Sequence, residues 1–166
     1  SVPLAFFSGI GAGSKKGILF KGGVAIEALK KVQAIVMDKT GTITKGNFVV
    51  QSANPVAGTV SADELLTVSA SCELSSTHPI GNSIVEAAEQ KGLDIERPSR
   101  VEEIAGHGIR AVLSRGEVLC GNRKLMDANH VDMSAYRKED FGTEVLVALN
   151  GTFIGNIVIS DTIKED

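Results

Sequence analysis

Ala34-Ile35-Val36-Met37-Asp38-Lys39-Thr40-Gly41-Thr42-Ile43-Thr44 is the stretch on which the reading of this chain turns. Four consecutive apolar residues predict a short strand. A carboxylate follows at once, and Gly41 between hydroxyl residues predicts a tight loop at the strand tip. In open α/β sheets ligands bind at the carboxyl ends of strands, so a nucleophile at that tip faces a phosphate. Asp38 is the residue expected to become phosphorylated.

The position two places later narrows the chemistry. Phosphatases of the haloacid-dehalogenase type, which this strand and loop resemble, carry a second Asp there as the general acid/base that hydrolyses an aspartyl-phosphate. This chain has Thr40 instead. An acyl phosphate without that neighbour should survive long enough to drive a mechanical step. The run from Asp38 to Thr44 resembles the phosphorylation signature of the P-type ATPases. That resemblance implies catalytic roles for Asp38, Lys39, Thr40 and Thr42. It also implies Mg²⁺ held through the Asp38 carboxylate and the Thr40 backbone carbonyl.

Composition limits the alternatives. At 166 residues and 43% hydrophobic content, the chain can bury one good core or two small ones. A net charge of −3 gives no general attraction to nucleic acid, and none is expected as a partner. Cys72 and Cys120 lie far apart in sequence without a C-x-x-C partner, which predicts buried free thiols rather than a disulfide framework. No stretch reaches the ~20 apolar residues that span a bilayer. Val2 to Ala12 nevertheless looks like the last turns of a membrane helix, with Lys15, Lys16, Lys21, Lys30 and Lys31 following as on a cytoplasmic side. Gly9 to Lys16 imitates a phosphate loop but lacks the Gly-Lys-Ser/Thr order and a preceding strand, so it is rejected as a nucleotide site.

Local signals organise the remainder. Val24 to Val32 reads as a short helix, and Phe48 to Ala53 as a strand. Ser61-Ala62-Asp63-Glu64 has capping-box spacing ahead of a helix through Cys72. Thr77 is expected to cap a second helix with Pro79 in its first turn and Gly92 at its end. Strands are expected over Val101 to Ile104, Ile109 to Leu113 and Glu117 to Cys120, and short helices over Asn122 to Ala128 and Ser134 to Glu139. Asn150-Gly151 between Val145 to Leu149 and Thr152 to Ile159 is a hairpin signal; the turn also accounts for the Asn-x-Thr pattern there. The order of elements predicts an α+β fold, an antiparallel sheet flanked by a helix pair, attached to an incomplete haloacid-dehalogenase-like α/β phosphorylation domain. Expected boundaries are 1–20 for the membrane-helix end, 21–53 for the start of the phosphorylation domain, 54–160 for the second domain and 161–166 for the return.

Three weak signals gain weight together. Glu73-x-x-x-x-His78-Pro79, Gly106-His107-Gly108-Ile109 and Gly121-Asn122 follow in an order that resembles the nucleotide-binding domain of heavy-metal (P1B-type) P-type ATPases. The resemblance implies that Glu73 and His78 contact adenine. It further implies that Gly106, Gly108 and Ile109 line the purine and ribose pocket, and that Gly121 and Asn122 close it. Ala111 stands where relatives often carry a third glycine, and its methyl is expected to tighten the pocket. The implied cofactors are ATP and Mg²⁺; the implied partners are a heavy-metal cation and the membrane and actuator domains of the same pump. The implied location is a multi-pass cell-membrane protein with this region cytoplasmic, closest to the zinc/cadmium/lead branch. Later phosphorylation-domain segments and the membrane Cys-Pro-Cys segment are expected outside the chain, leaving it able to bind ATP with little turnover. Two other readings stay open: a dehalogenase-type phosphatase with Ser61 to Ile159 as its cap, and a non-catalytic ATP-binding module.

Overall fold

The computed structural model describes residues 2–37 and 44–163. Asp38, Lys39, Thr40 and Thr42 lie outside the described residues. The chain divides into two compact units, residues 1–38 and 39–166.

In the first unit, helix α1 (Val2–Lys15) is followed by helix α2 (Gly23–Leu29). Their approach depends on small residues: a Cβ on Gly23 would come within 2.9 Å of the Phe6 ring, and one on Gly9 within 3.3 Å of Ile26. The Gly9 to Lys15 segment is helical, so no phosphate loop forms there. Fourteen residues rise about 21 Å, short of a bilayer core. Among the described residues no helix is long and apolar enough to cross a membrane. Two expectations are corrected. The second helix stops at Leu29 and leaves Val32 outside it. Residues 34–37 form no strand, and Val36 is 98% exposed. A uniformly apolar strand needs neighbours on both edges and both faces. No described strand pairs with this segment, so its pattern goes unused.

The second unit is built on a six-stranded, wholly antiparallel sheet. Its strands are β1 (Thr44–Pro55), β2 (Arg100–Ile104), β3 (Gly108–Leu113), β4 (Gly116–Gly121), β5 (Thr143–Leu149) and β6 (Thr152–Ile163), in spatial order β1-β6-β5-β4-β3-β2. Helices α3 (Ala62–Glu73) and α4 (Pro79–Gln90) cover one face as the expected pair. Helix α5 (Arg123–Ala128) lies on the other. Alternation along the strands feeds two cores. Val118, Cys120, Val145 and Val147 turn towards Leu65, Cys72 and Ile84. Leu119, Leu146, Ala148 and Phe153 turn towards Leu125, Met126 and Val131. The fold is the expected α+β arrangement.

Capping chemistry sets the helix ends. Ser61 Oγ accepts from Glu64 N at 3.1 Å while Glu64 Oε2 accepts from Ser61 N at 3.2 Å, the reciprocal pair of a capping box. Helix α4 ends with Leu93 N donating to Ala88 O and Gly92 N to Glu89 O, a Schellman closure. The residue capping the start of α4 is His78, not Thr77. Pro79 has no N–H to offer and suits the first helical position, which makes the residue before it the cap. The expected helix over Ser134 to Glu139 is also absent. The segment turns once, with Tyr136 N donating to Met133 O, and then runs irregularly. Six residues without an apolar stripe cannot repay helix nucleation. Tyr136 instead sets its ring edge against Phe153 and its hydroxyl on Glu144.

The Asn150-Gly151 turn does more than reverse the chain. Both residues have positive φ, 50° and 79°. Asn150 Oδ1 accepts from Glu117 N at 3.0 Å and its Nδ2 donates to Arg115 O at 3.0 Å, tying the β5–β6 hairpin to the β3–β4 hairpin. Asn150→Ala loses both bonds and the side chain that tolerates positive φ. We expect it to cost about 1–2 kcal/mol and lower the melting midpoint by roughly 5 °C in circular dichroism, with Asn150→Asp, which keeps the acceptor, falling between.

Candidate functional site

A cleft of about 360 Å³ opens at one end of the sheet, where three connections converge: the α3–α4 turn, the β2–β3 turn and the β4–α5 junction. Glu73, His78, Gly106, Gly108, Ile109, Gly121 and Asn122 all line it. Residues spread over 50 positions of sequence thus meet at one place. A larger cleft of about 710 Å³ borders it at Thr143, between Phe48, Phe141 and Ser160, and holds none of these seven residues.

The wall from the helix pair carries the charge. Glu73, the last residue of α3, is only 7% exposed. Burial pushes its carboxyl up to about 7; a hydrogen bond from Ser76 opposes the shift and the nearby Glu103 adds to it. The carboxylate packs so closely on α4 that a Cβ at Gly81 would lie 2.6 Å from Glu73 Oε2 and 2.8 Å from Ser76 Oγ. Ser76 Oγ also accepts from His78 N at 3.1 Å. His78 in turn caps α4: its Nδ1 accepts from Ile80 N at 3.2 Å. Accepting there requires an unprotonated Nδ1, so the neutral ring carries its proton on Nε2. Nε2–H is a donor held at the cleft edge.

The opposite wall is made of backbone. Gly106 sits at φ 72° in the β2–β3 turn, closed by His107 N donating to Ile104 O at 2.9 Å. Gly108 and Gly121 are cross-strand partners. A Cβ on Gly108 would stand 2.2 Å from Cys120 O, and one on Gly121 2.1 Å from His107 O. Asn122 locks the corner. Its N–H donates to His107 O at 2.9 Å, its Nδ2 to Gly106 O at 2.8 Å, and its Oδ1 accepts from Leu125 N at 3.2 Å as the cap of α5. The Asn122 side chain is therefore occupied in holding the turn.

Ile109 and Cys120 form the floor between the walls. Both are buried, and the Cys72 thiol reaches Ile109 O at 3.9 Å. The two cysteines, distant in sequence, are free and meet here. Hydrogen bonding with Cys72, followed by burial, pushes the Cys120 thiol well above its usual range, so the floor is neutral and unreactive. Ala111 does not touch the cleft: its methyl points into the core beside Val118, correcting the expectation that it tightens the pocket. Sequence reasoning missed Ser76, Gly81, Glu103 and His107 as cleft residues. Ser76 and His107 stood inside the quoted motifs, while nothing in the sequence marked Gly81 or Glu103. Among the described residues no group of three or more His, Cys, Asp or Glu side chains is placed to hold a metal ion.

The haloacid dehalogenase-like hydrolase family matches residues 32–166. The cadmium, zinc and cobalt-transporting ATPase of Bacillus subtilis is 46% identical over the whole chain, which covers 23% of that protein. The zinc-transporting ATPase of Synechocystis is 45% identical, again over the whole chain and 22% of the relative. A crystal structure of a zinc-transporting PIB-type ATPase in its E2.Pi state superposes with a TM-score of 0.71 at 32% identity, over 99% of this chain and 27% of that one. The chain thus spans about a quarter of the length of the relatives it matches.

Glu73 makes the domain's own stability fall with pH. Between about 4.5, the ordinary carboxyl value, and about 7, the folded state holds a proton that the unfolded state has released. Stability is therefore full below that window and declines through it. Melting midpoints of the ligand-free chain should drop between pH 5 and pH 7.5, and Glu73→Gln should remove most of the drop. Parallel curves for the two proteins would contradict the burial argument.

Proposed function

The chain belongs to the haloacid dehalogenase-like hydrolase family, and from that membership we propose that it is the ATP-binding and phosphorylation region of a heavy-metal-transporting P-type ATPase. The observation that supports this most is the convergence of Glu73, His78, Gly106, Gly108, Ile109, Gly121 and Asn122 on one cleft. Its relatives transport cadmium, zinc and cobalt, or zinc, by name, and a cation of that group is the proposed cargo.

The cleft suits a purine by shape and by polarity. Gly106, Gly108 and Gly121 leave backbone exposed on one wall of the cleft, against which a ring can lie. The Glu73 carboxylate accepts from the exocyclic amino group of adenine, and His78 Nε2–H donates to a ring nitrogen or lies against the ring face. The γ-phosphate is transferred to Asp38: a carboxylate oxygen bonds to phosphorus as the bond to the ADP oxygen breaks, and ADP leaves. Lys39 and Thr42 offset the charge that develops. Mg²⁺, a hard cation that takes oxygen donors, would be held by the Asp38 carboxylate and the Thr40 carbonyl and would neutralise phosphate charge. Thr40 offers no carboxylate to activate water, so the acyl phosphate persists.

The domain scheme is proposed with this function. Residues 1–20 end a membrane helix, 21–53 begin the phosphorylation domain, 54–160 form the nucleotide-binding domain and 161–166 return to the phosphorylation domain, on the cytoplasmic side of a membrane pump. β1 and β6 run side by side with Ala53 opposite Ile157, so the outgoing and returning chain are neighbours. A dehalogenase-type phosphatase is the reading to test against, because family membership alone admits it.

Calorimetric titration of the chain should give adenine preference, ATP and ADP over GTP, with about tenfold weaker binding in His78→Gln. Because an acceptor Glu73 must be ionised, ATP binding should tighten from pH 6 to pH 8 and release a proton below pH 7, and Glu73→Gln should flatten that dependence. A longer form that includes the rest of the pump should incorporate phosphate from ATP, and Asp38→Asn should abolish it. Fast hydrolysis of a simple phosphate ester would assign the phosphatase instead.

A further inference from the structure

His107 lies between Gly106 and Gly108 in the β2–β3 turn and lines the same cleft as His78, yet the nucleotide motif leaves it without a role. Its placement is rigid. Its backbone N–H donates to Ile104 O at 2.9 Å, and its carbonyl accepts from Asn122 N at 2.9 Å. The ring is fixed as well, because Nδ1 stands 3.0 Å from Ala105 O. A carbonyl oxygen can only accept, so in this contact the proton is on Nδ1. His107 lines the cleft, its neutral ring keeps a lone pair on Nε2, and no described residue hydrogen-bonds to that nitrogen.

The two imidazoles of the cleft therefore present opposite polarity. His78 is held by a backbone donor and offers N–H; His107 is held by a backbone acceptor and offers a lone pair. That difference decides which part of a nucleotide each can serve. Phosphate oxygens and the adenine ring nitrogens are acceptors, so a lone pair gains nothing from them. The adenine amino group, with its two N–H donors, is drawn in that reading to the buried Glu73 on the opposite wall, away from His107. The remaining donors of a nucleoside triphosphate are the ribose hydroxyls. Resting on the nucleotide reading above, we propose that His107 Nε2 accepts a hydrogen bond from a ribose hydroxyl of the bound nucleotide and selects ribonucleotides over their deoxy analogues.

The test is calorimetric titration of the chain with ATP, 2′-deoxy-ATP and 3′-deoxy-ATP, for the native protein, His107→Phe and His107→Gln. His107 is half-buried and lies outside both apolar cores, and a melting curve for each variant establishes that it is folded. One neutral hydrogen bond corresponds to about a fivefold effect. The native chain should bind at least one deoxy analogue about fivefold more weakly than ATP. His107→Phe should bind ATP as weakly as that analogue and show no discrimination. His107→Gln, whose side-chain oxygen can accept, should restore part of it. Equal affinity for all three nucleotides in the native chain overturns the proposal while leaving the nucleotide site standing. So does a His107→Phe loss that scales with phosphate number, from AMP to ATP, because it would make the ring a phosphate donor. Absence of any ATP binding by the native chain would remove the site and the proposal together.

Discussion

No side chain fits where β3 leaves its turn and β4 runs into α5. Gly108 and Gly121 face each other there, and a methyl on either would collide with the other strand's backbone at little more than 2 Å. Everything at the open end of the sheet follows from that contact. It brings His107 O within reach of the Asn122 N–H, and Asn122 then caps α5 and closes the β2–β3 turn with one side chain. Two turns and a helix start become one rigid corner. A backbone wall needs no side-chain ordering when a ligand arrives, which is the form of preorganisation least exposed to entropic cost.

The opposite wall has the reverse character. Burying Glu73 disfavours its ionised form by about 3 kcal/mol, the free-energy equivalent of moving its carboxyl from 4.5 to about 7. The surroundings do little to relieve it: Ser76 helps, Glu103 opposes, and the floor is a neutral thiol. A helix end in a stable fold has no need of such a group. The arrangement makes sense when an incoming donor completes the hydrogen bonding, so that binding recovers what folding gave up. Gly81 is the structural counterpart, since only a residue without Cβ lets the carboxylate and Ser76 settle against α4.

Elements governed by neighbouring residues were legible from the chain alone. The capping box of α3, the Schellman end of α4, the Asn150-Gly151 turn and the strands β2 to β4 all follow from contacts within a few positions. The site motifs were legible for a related reason, because each glycine or capping residue marks a backbone that must turn or approach closely. What could not be read was the tertiary contribution. The apolar run Ala34 to Met37 specifies a strand only if other strands flank it, and none of the described ones does. Tyr136 left a helix for contacts with Phe153 and Glu144, one of them 17 positions away. The role proposed for His107 escaped notice because it depends on which backbone atom the ring meets, a fact that spacing does not encode.

The sheet changes width along its length. β5 pairs with β6 only as far as Thr143 opposite Ile159, but β1 and β6 stay paired beyond it, through Ser160, Asp161 and Ile163. Past that point the sheet narrows to a ribbon of two strands. Two-stranded ribbons twist more readily than wide sheets and are weakly stable alone. A register irregularity between Thr44 and Phe48 interrupts the ribbon further. In the function proposed above, the rigid corner keeps the base fixed, while the two-stranded ribbon is the softest part of the sheet. Stiffness at the glycine pinch and compliance in the ribbon thus belong to opposite edges of one sheet.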